Sequence, residues 1–198
     1  MRDRSIVELK ATMIEGISKL NNVLRVEGSD LEIGEDSHIR QTQALLVLGS
    51  DSNVTFMDSS LSDSLNGLSL FKSKGVIKNS TFTSLGDKEV DKTRAITNTN
   101  SDLTIEGSTF TMNKANHGGA LSTSCFSTCS VDIKDSSFIE NSATFEGGAI
   151  QYLDYRPMME NLSFSQNTAA YGPDIGSYAT KFSLDRSQDM KIEGLASG

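Results

Sequence analysis

Tryptophan is absent from the 198 residues, and proline, cysteine and histidine occur twice each. Each scarcity removes a class of protein. Two cysteines cannot staple a small disulfide-rich scaffold. The two histidines, His38 and His117, lie far apart with no Cys/His spacing for zinc around them, so no metal site and no cofactor are expected. No run of 18 or more apolar residues occurs, so this segment is not expected to insert in a membrane. The first residues lack a basic stretch followed by an apolar one, the pattern of a signal peptide. Basic residues are also short: 18 Lys and Arg stand against 26 Asp and Glu, a net charge of −8. That balance excludes nucleic acid and anionic lipid as partners, because both require clustered cations. Apolar residues make up only 36% and aromatics 7%; in their place stand 29 Ser, 16 Thr, 12 Asn and 16 Gly. Such a composition alone would fit a disordered chain, but the apolar residues recur too regularly for that.

One short unit keeps returning: apolar, polar, Asp/Asn/Gly, Ser, any residue, apolar. It reads Phe56-Met57-Asp58-Ser59-Ser60-Leu61, Ile77-Lys78-Asn79-Ser80-Thr81-Phe82, Ile105-Glu106-Gly107-Ser108-Thr109-Phe110 and Ile133-Lys134-Asp135-Ser136-Ser137-Phe138. A copy with one inserted residue runs from Ile33 to Ile39, and a variant, Met159-Glu160-Asn161-Leu162-Ser163-Phe164, closes the series. The final apolar residues fall at 39, 61, 82, 110, 138 and 164, so the spacings are 22, 21, 28, 28 and 26. Weaker echoes, Ile14-Glu15-Gly16 and Ile192-Glu193-Gly194, flank it. A second unit follows the first in three copies. It reads Phe110-x-x-Asn113-x-Ala115 with Gly118-Gly119-Ala120-Leu121, then Phe138-x-x-Asn141-x-Ala143 with Gly147-Gly148-Ala149-Ile150 one residue later than expected. The third copy is Phe164-x-x-Asn167-x-Ala169 with Gly172-Pro173-Asp174-Ile175.

A fixed period of 20–50 residues is the signature of a solenoid. Within each period the apolar residues alternate, which is the strand spacing, and Asp, Asn, Gly and Ser punctuate the strands. The expected fold is all-β: a right-handed, single-stranded parallel β-helix of about six to eight rungs, each rung stacked about 4.8 Å from the next. An antiparallel β-sandwich also has short strands at such intervals, but it does not predict recurrence residue by residue. Gly118, Gly119, Gly147, Gly148 and Gly172 are expected at tight turns with positive φ. Asn113, Asn141 and Asn167 are expected to form an internal amide ladder.

The whole chain, 1–198, reads as one β-helix segment, a fragment of a longer array whose neighbouring rungs belong to the same parent chain. Residues 1–30 are an irregular first rung or a cap. Helical spacing of Ile6, Leu9, Met13, Ile17 and Leu20 supports a cap; Ile14-Glu15-Gly16 supports the rung, which is preferred. The charged stretch 85–95 reads as a projecting loop, and 105–175 holds the best-matched repeats.

Phe-x-x-Asn followed by Gly-Gly-Ala-Ile or Gly-Gly-Ala-Leu resembles the repeat of the polymorphic outer membrane proteins of chlamydiae. Similar repeats occur in large surface proteins of ciliates and other protists, and Asn167-Thr168-Ala169-Ala170-Tyr171-Gly172-Pro173-Asp174-Ile175 looks more like that type. The resemblance implies a pectin-lyase-like β-helix at a cell surface, often in adhesion. It covers residues 105–175 in full, and the earlier rungs keep only the strand pattern.

Parallel β-helices that cleave acidic polysaccharides need two or three carboxylates converging in a groove, or a base with Ca²⁺ held by carboxylates. The candidates are Asp132, Asp135, Glu140, Asp154 and Arg156, but no repeated acidic cluster faces one side. Asn116-His117-Gly118 is weakly similar to a polygalacturonase histidine motif, without the acidic elements that accompany it. Cys125 and Cys129 either close a small disulfide loop in an oxidising compartment or remain buried thiols. Sequons for N-glycosylation begin at Asn53, Asn79 and Asn161. Tyr152, Tyr155, Tyr171 and Tyr178 either offer stacking surfaces to a sugar or a protein partner or cover the end of the core. The leading functional expectation is a non-catalytic surface or extracellular module, a rigid spacer or adhesion scaffold with an unidentified protein or glycan partner. The alternatives are a polysaccharide-active lyase or hydrolase of the same fold, and an intracellular structural scaffold.

Overall fold

The computed structural model describes residues 5–16, 24–41, 46–48, 52–87, 89, 93–126, 128–178, 181–184 and 190–193. Three parallel sheets of seven strands each run the length of a β-helix, and the chain visits them in turn. The first sheet comprises Ile6–Lys10, Asp30–Gly34, Asn53–Met57, Lys74–Lys78, Asp102–Glu106, Val131–Lys134 and Met158–Glu160. The second comprises Met13–Glu15, His38–Arg40, Ser60–Ser62, Thr81–Thr83, Thr109–Thr111, Ser137–Ile139 and Ser163–Ser165. The third comprises Arg25–Val26, Leu46–Leu48, Leu68–Phe71, Ile96–Thr99, Leu121–Ser124, Ile150–Leu153 and Ile175–Ser177. The last three rungs insert an extra side between the second and third sheets. There Lys114–His117 pairs with Ser142–Glu146, and isolated bridges join Ser142 to Thr168 and Glu146 to Tyr171.

Equivalent positions of the six-residue unit stack directly. Ile39, Leu61, Phe82, Phe110, Phe138 and Phe164 are successive partners in the second sheet. Ile33, Phe56, Ile77, Ile105, Ile133 and Met159 do the same in the first. The echo Ile14-Glu15-Gly16 is out of register with them, because Ile14 pairs with Ile39 in the second sheet while Leu9 takes the place beside Ile33 in the first. One rung exposes its apolar stripe above and below, and only its neighbours can cover it. That is why 36% apolar residues suffice: a few inward positions per rung are completely enclosed, including Ile77, Phe82, Ile96, Phe110 and Ile133. The rings of Phe82, Phe110 and Phe138 stack at 5.0 Å centroid spacing, close to the rung repeat itself.

The corner between the first and second sheets explains the Asp/Asn/Gly position of the repeat. Asp36, Asp58, Asn79, Gly107, Asp135 and Asn161 all have φ between 47° and 62°, a left-handed conformation that these three residue types tolerate best. In the copy with the inserted residue, Glu35 and Asp36 are both left-handed. The serine that follows is buried. The Ser59 amide donates to Ser80 Oγ at 3.3 Å, the Ser80 amide to Ser108 Oγ at 3.2 Å, and the Ser108 amide to Ser136 Oγ at 3.1 Å. Each of these hydroxyls also donates to the carbonyl two residues back. A serine ladder thus carries the inner corner, which satisfies backbone donors that would otherwise be buried without partners.

A second ladder lines the corner after the second sheet. The amide N and Nδ2 of Asn113 both donate to Asn141 Oδ1, at 3.1 and 2.9 Å. Asn141 donates in the same way to Asn167 Oδ1, at 2.9 and 3.1 Å. Their second Nδ2 hydrogens reach the carbonyls of Phe82, Phe110 and Phe138. Asn167 has no further asparagine above it, and its Nδ2 donates to Asp174 Oδ1 at 2.9 Å.

Several expectations need correction. Gly118, Gly147 and Gly172 do have positive φ, at 61°, 65° and 55°, but Gly119 and Gly148 do not. Those two are glycine because of close approach: a Cβ on Gly119 would sit 2.3 Å from the Gly148 carbonyl oxygen, and one on Gly148 would sit 2.2 Å from that of Pro173. A helical cap at the N-terminus is excluded for the described residues, since Ile6–Lys10 and Met13–Glu15 pair in parallel with the next rung; Ile17 and Leu20 lie outside them. The echo at Ile192 is not a further rung, because Met190–Glu193 pairs antiparallel with Lys181–Leu184. The stretch 85–95 is narrower as a loop than its charge suggests. Leu85 and Ala95 are enclosed in the core, and Asp87 and Thr93 close its neck with bonds of 2.8 and 2.6 Å.

Candidate functional site

Outward-facing residues of the third sheet build a small polar floor. In register across the rungs, Thr97 is followed by Ser122 and Gln151, and Thr99 by Ser124 and Leu153. Strand alternation sends Ile96, Leu121 and Ile150 inward from the same strands, so each hydroxyl or amide is held by a rigid, buried neighbour. Ser122 Oγ donates to Gln151 Oε1 at 2.6 Å. Beneath this floor Asn98 Nδ2 donates to Thr123 Oγ1 at 3.0 Å. A groove of about 290 Å³ lies over the floor, with Arg94, His117 and Tyr178 at its margins.

The margin is organised by Glu146, the sole acidic side chain among the described residues that is buried, at 5% exposure. A buried carboxylate is retained only where donors satisfy it. His117 Nδ1 donates to Glu146 Oε1 at 2.7 Å, and the Tyr178 hydroxyl donates to the same oxygen at 2.5 Å. The His117 ring also stacks on Phe145 at 5.0 Å. The hydrogen bond to Glu146, aided by burial and by the negative charge, pushes the Tyr178 hydroxyl up to about 12. Glu146 therefore ties two rungs and the chain beyond the last third-sheet strand into one cluster, and its oxygen already accepts two hydrogen bonds.

A local irregularity creates this cluster. Ala115 pairs with Ala143, but the next pairing is His117 with Glu146, so the second strand carries one extra residue. This bulge is the residue by which Gly147-Gly148 arrives late in the repeat. That delay was visible in the sequence, and it marks the position where Glu146 meets His117.

A second groove, with a larger volume of about 480 Å³, follows the corner after the second sheet, where Met112, Glu140 and Gln166 stand on successive rungs beside Lys114, Ser142 and Thr168. Both margins are stacked columns, but the side chains change from rung to rung, so the two columns present a mixed surface rather than one repeated chemistry.

The acidic candidates do not meet. Asp132 faces outward from the first sheet beside Ser130, whose Oγ donates to it at 3.2 Å. Asp135 stands on the left-handed corner, Glu140 on the next corner, and Asp154 with Arg156 in the turn after the third sheet. They are spread around the circumference of one rung. His38 lies on the second sheet with Nδ1 2.6 Å from Ser60 Oγ, far along the axis from His117. Among the described residues no group of three His, Cys, Asp or Glu is arranged to hold a metal ion. Of the tyrosines, Tyr178 lines the groove, Tyr152 stands in register with inward-facing Thr123, and Tyr155 and Tyr171 are exposed. Cys125 and Cys129 are joined by a disulfide with their Cα atoms 6.1 Å apart. The loop it closes displays Phe126 at 70% exposure. No described helix is long and apolar enough to cross a membrane.

A family model described as a right handed beta helix region matches residues 22–189. No curated protein matches the chain, and neither does any solved structure.

Proposed function

Since the chain belongs to the right-handed β-helix family, we propose that it is a non-catalytic module of an extracellular or cell-surface protein, a rigid scaffold that holds a protein or glycan partner. The observation that carries this is the third-sheet groove. Its floor of Thr, Ser and Gln offers hydroxyl and amide hydrogen bonds at fixed spacing, which suits recognition. Its one buried carboxylate is engaged by His117 and Tyr178. The remaining acidic candidates lie on different sides of a rung, whereas glycoside cleavage requires a pair within about 10 Å across one bond. The Cys125–Cys129 disulfide supports an oxidising compartment.

Two measurements test the proposal. Incubation with polygalacturonate and neutral glucans should release no new reducing ends and no unsaturated uronate. Product formation that disappears in Asp135→Asn or Glu146→Gln would establish the enzyme instead. Binding to arrays of glycans and surface proteins should be lost when the groove is filled by Ser122→Arg while the circular dichroism spectrum is unchanged. Binding untouched by that change would move the partner off the third sheet.

A further inference from the structure

The three sequons are equivalent as motifs, but their acceptor nitrogens stand in different surroundings. Asn79 and Asn161 occupy the left-handed corner between the first and second sheets, at φ 47° and 52°, and both are exposed. Their hydroxyl partners two residues on, Thr81 and Ser163, are exposed at the first positions of second-sheet strands. Each Asn uses one Nδ2 hydrogen in a bond to the rung below: Asn79 to Asp58 Oδ1 at 3.2 Å, Asn161 to Asp135 Oδ1 at 3.0 Å. The other hydrogen is the one a sugar would replace, so attachment there leaves the bond to the rung below possible.

Asn53 differs. It is the first residue of a first-sheet strand, half-buried, and lies between Asp30 and Lys74 on the adjacent rungs. Its Nδ2 donates to Asp30 Oδ1 at 2.8 Å. A sugar here would have to rise between side chains about 4.8 Å away on either side, whereas at the corner the chain turns and the substituent projects into solvent.

We infer that Asn79 and Asn161 are acceptors for N-linked glycan and that Asn53 is not, so that sugar decorates one corner of the solenoid. The inference rests on the extracellular reading. The donor is a lipid-linked oligosaccharide diphosphate. Its C1–O bond breaks, a C1–Nδ2 bond forms, the amide gives up one proton and the lipid diphosphate leaves. The two sites share one edge, three rungs or about 14 Å apart. Glycan there would shield that corner and leave the third sheet, on another side of the solenoid, open to a partner.

The test is secretion of the full chain from a eukaryotic cell behind a foreign signal peptide, followed by enzymatic glycan release and peptide mass mapping. Release converts each occupied Asn to Asp, which marks the site. Asn79 and Asn161 should both be marked, Asn79→Gln and Asn161→Gln should each remove one mobility step, and Asn53→Gln should remove none. Absence of glycan from either corner site, or occupancy of Asn53 equal to theirs, overturns the inference. The host imposes the compartment, so such a failure leaves the extracellular reading standing. That reading is tested separately by counting free thiols in the native protein, where two would argue against it.

Discussion

Asn141 is the middle member of the amide ladder, and its replacement isolates what the ladder contributes. It is fully buried and takes part in hydrogen bonds through every polar side-chain atom. Oδ1 accepts from the Asn113 amide and from Asn113 Nδ2, while Nδ2 donates to Asn167 Oδ1 and to the Phe110 carbonyl. Asn141→Leu keeps the approximate volume and removes all four. Two donors of Asn113 then lose their acceptor in a site that water cannot reach. A buried donor left without a partner costs about 1–3 kcal/mol, so the variant should lose about 3–5 kcal/mol. Asn141→Asp separates the two halves of the amide. It keeps an acceptor for Asn113 but turns an anionic oxygen toward Asn167 Oδ1 and the Phe110 carbonyl, both acceptors. At neutral pH it too should be strongly destabilised. On acidification its carboxyl gains a proton, hence a donor, and part of the loss should return. This is a group whose folded form favours the proton, so its stability is present at low pH and lost as pH rises. Urea unfolding followed by far-ultraviolet circular dichroism at pH 4 and pH 7 measures both variants. A loss below about 1 kcal/mol for Asn141→Leu would refute the argument, as would an Asp variant that is no more stable at pH 4, relative to wild type, than at pH 7.

Phe110→Ala empties the centre of a ring column with stacked neighbours on both sides and should cost about 3–5 kcal/mol. Phe126→Ala, at an exposed site, should stay within about 0.5 kcal/mol by the same denaturation assay. Gly119→Ala pushes a methyl against the Gly148 carbonyl and should cost about 2–3 kcal/mol; a melting curve identical to wild type would contradict the close-approach explanation. Tyr178 holds its proton more tightly in the folded chain, up to about 12 against the ordinary 10. Its share of stability is therefore complete below pH 10 and disappears as pH rises through 12. Absorbance at alkaline pH should show a late tyrosine ionisation that Tyr178→Phe abolishes.

The repeat made the fold legible because identical positions stack. The equivalence of Phe82, Phe110 and Phe138 in the repeat implies both their register in the second sheet and its parallel arrangement. The Asp/Asn/Gly position was equally readable, since those residues share a tolerance for left-handed backbone. Other features were hidden for physical reasons. Ser59, Ser80, Ser108 and Ser136 look like turn residues in a hydropathy pattern, and nothing local reveals that their hydroxyls face inward to neighbouring amides. Gly119 and Gly148 are glycine because of the rung above, through contacts with residues 29 and 25 positions further on. Glu146 left one trace, the late Gly-Gly pair, but a one-residue insertion does not say which side chain it turns inward. Ile192-Glu193-Gly194 misled because three matching residues are too few to specify stacking, and Met190–Glu193 pairs antiparallel with Lys181–Leu184 instead.

The amide ladder has a direction. Asn113 and Asn141 each donate to the asparagine of the rung above, so the column behaves as a chain of one-way couplings between amides that a further unit could extend. Asp174 ends it. It stands where Ala120 and Ala149 stand in the earlier copies, and it supplies an acceptor from within its own rung to the last free amide hydrogen. One substitution at a repeat position thus acts as a terminator, closing the column with a side chain of its own rung. Asp174→Ala would restore the repeat and leave Asn167 with an unfilled donor. The upper end of the amide column is then set by where a single carboxylate falls.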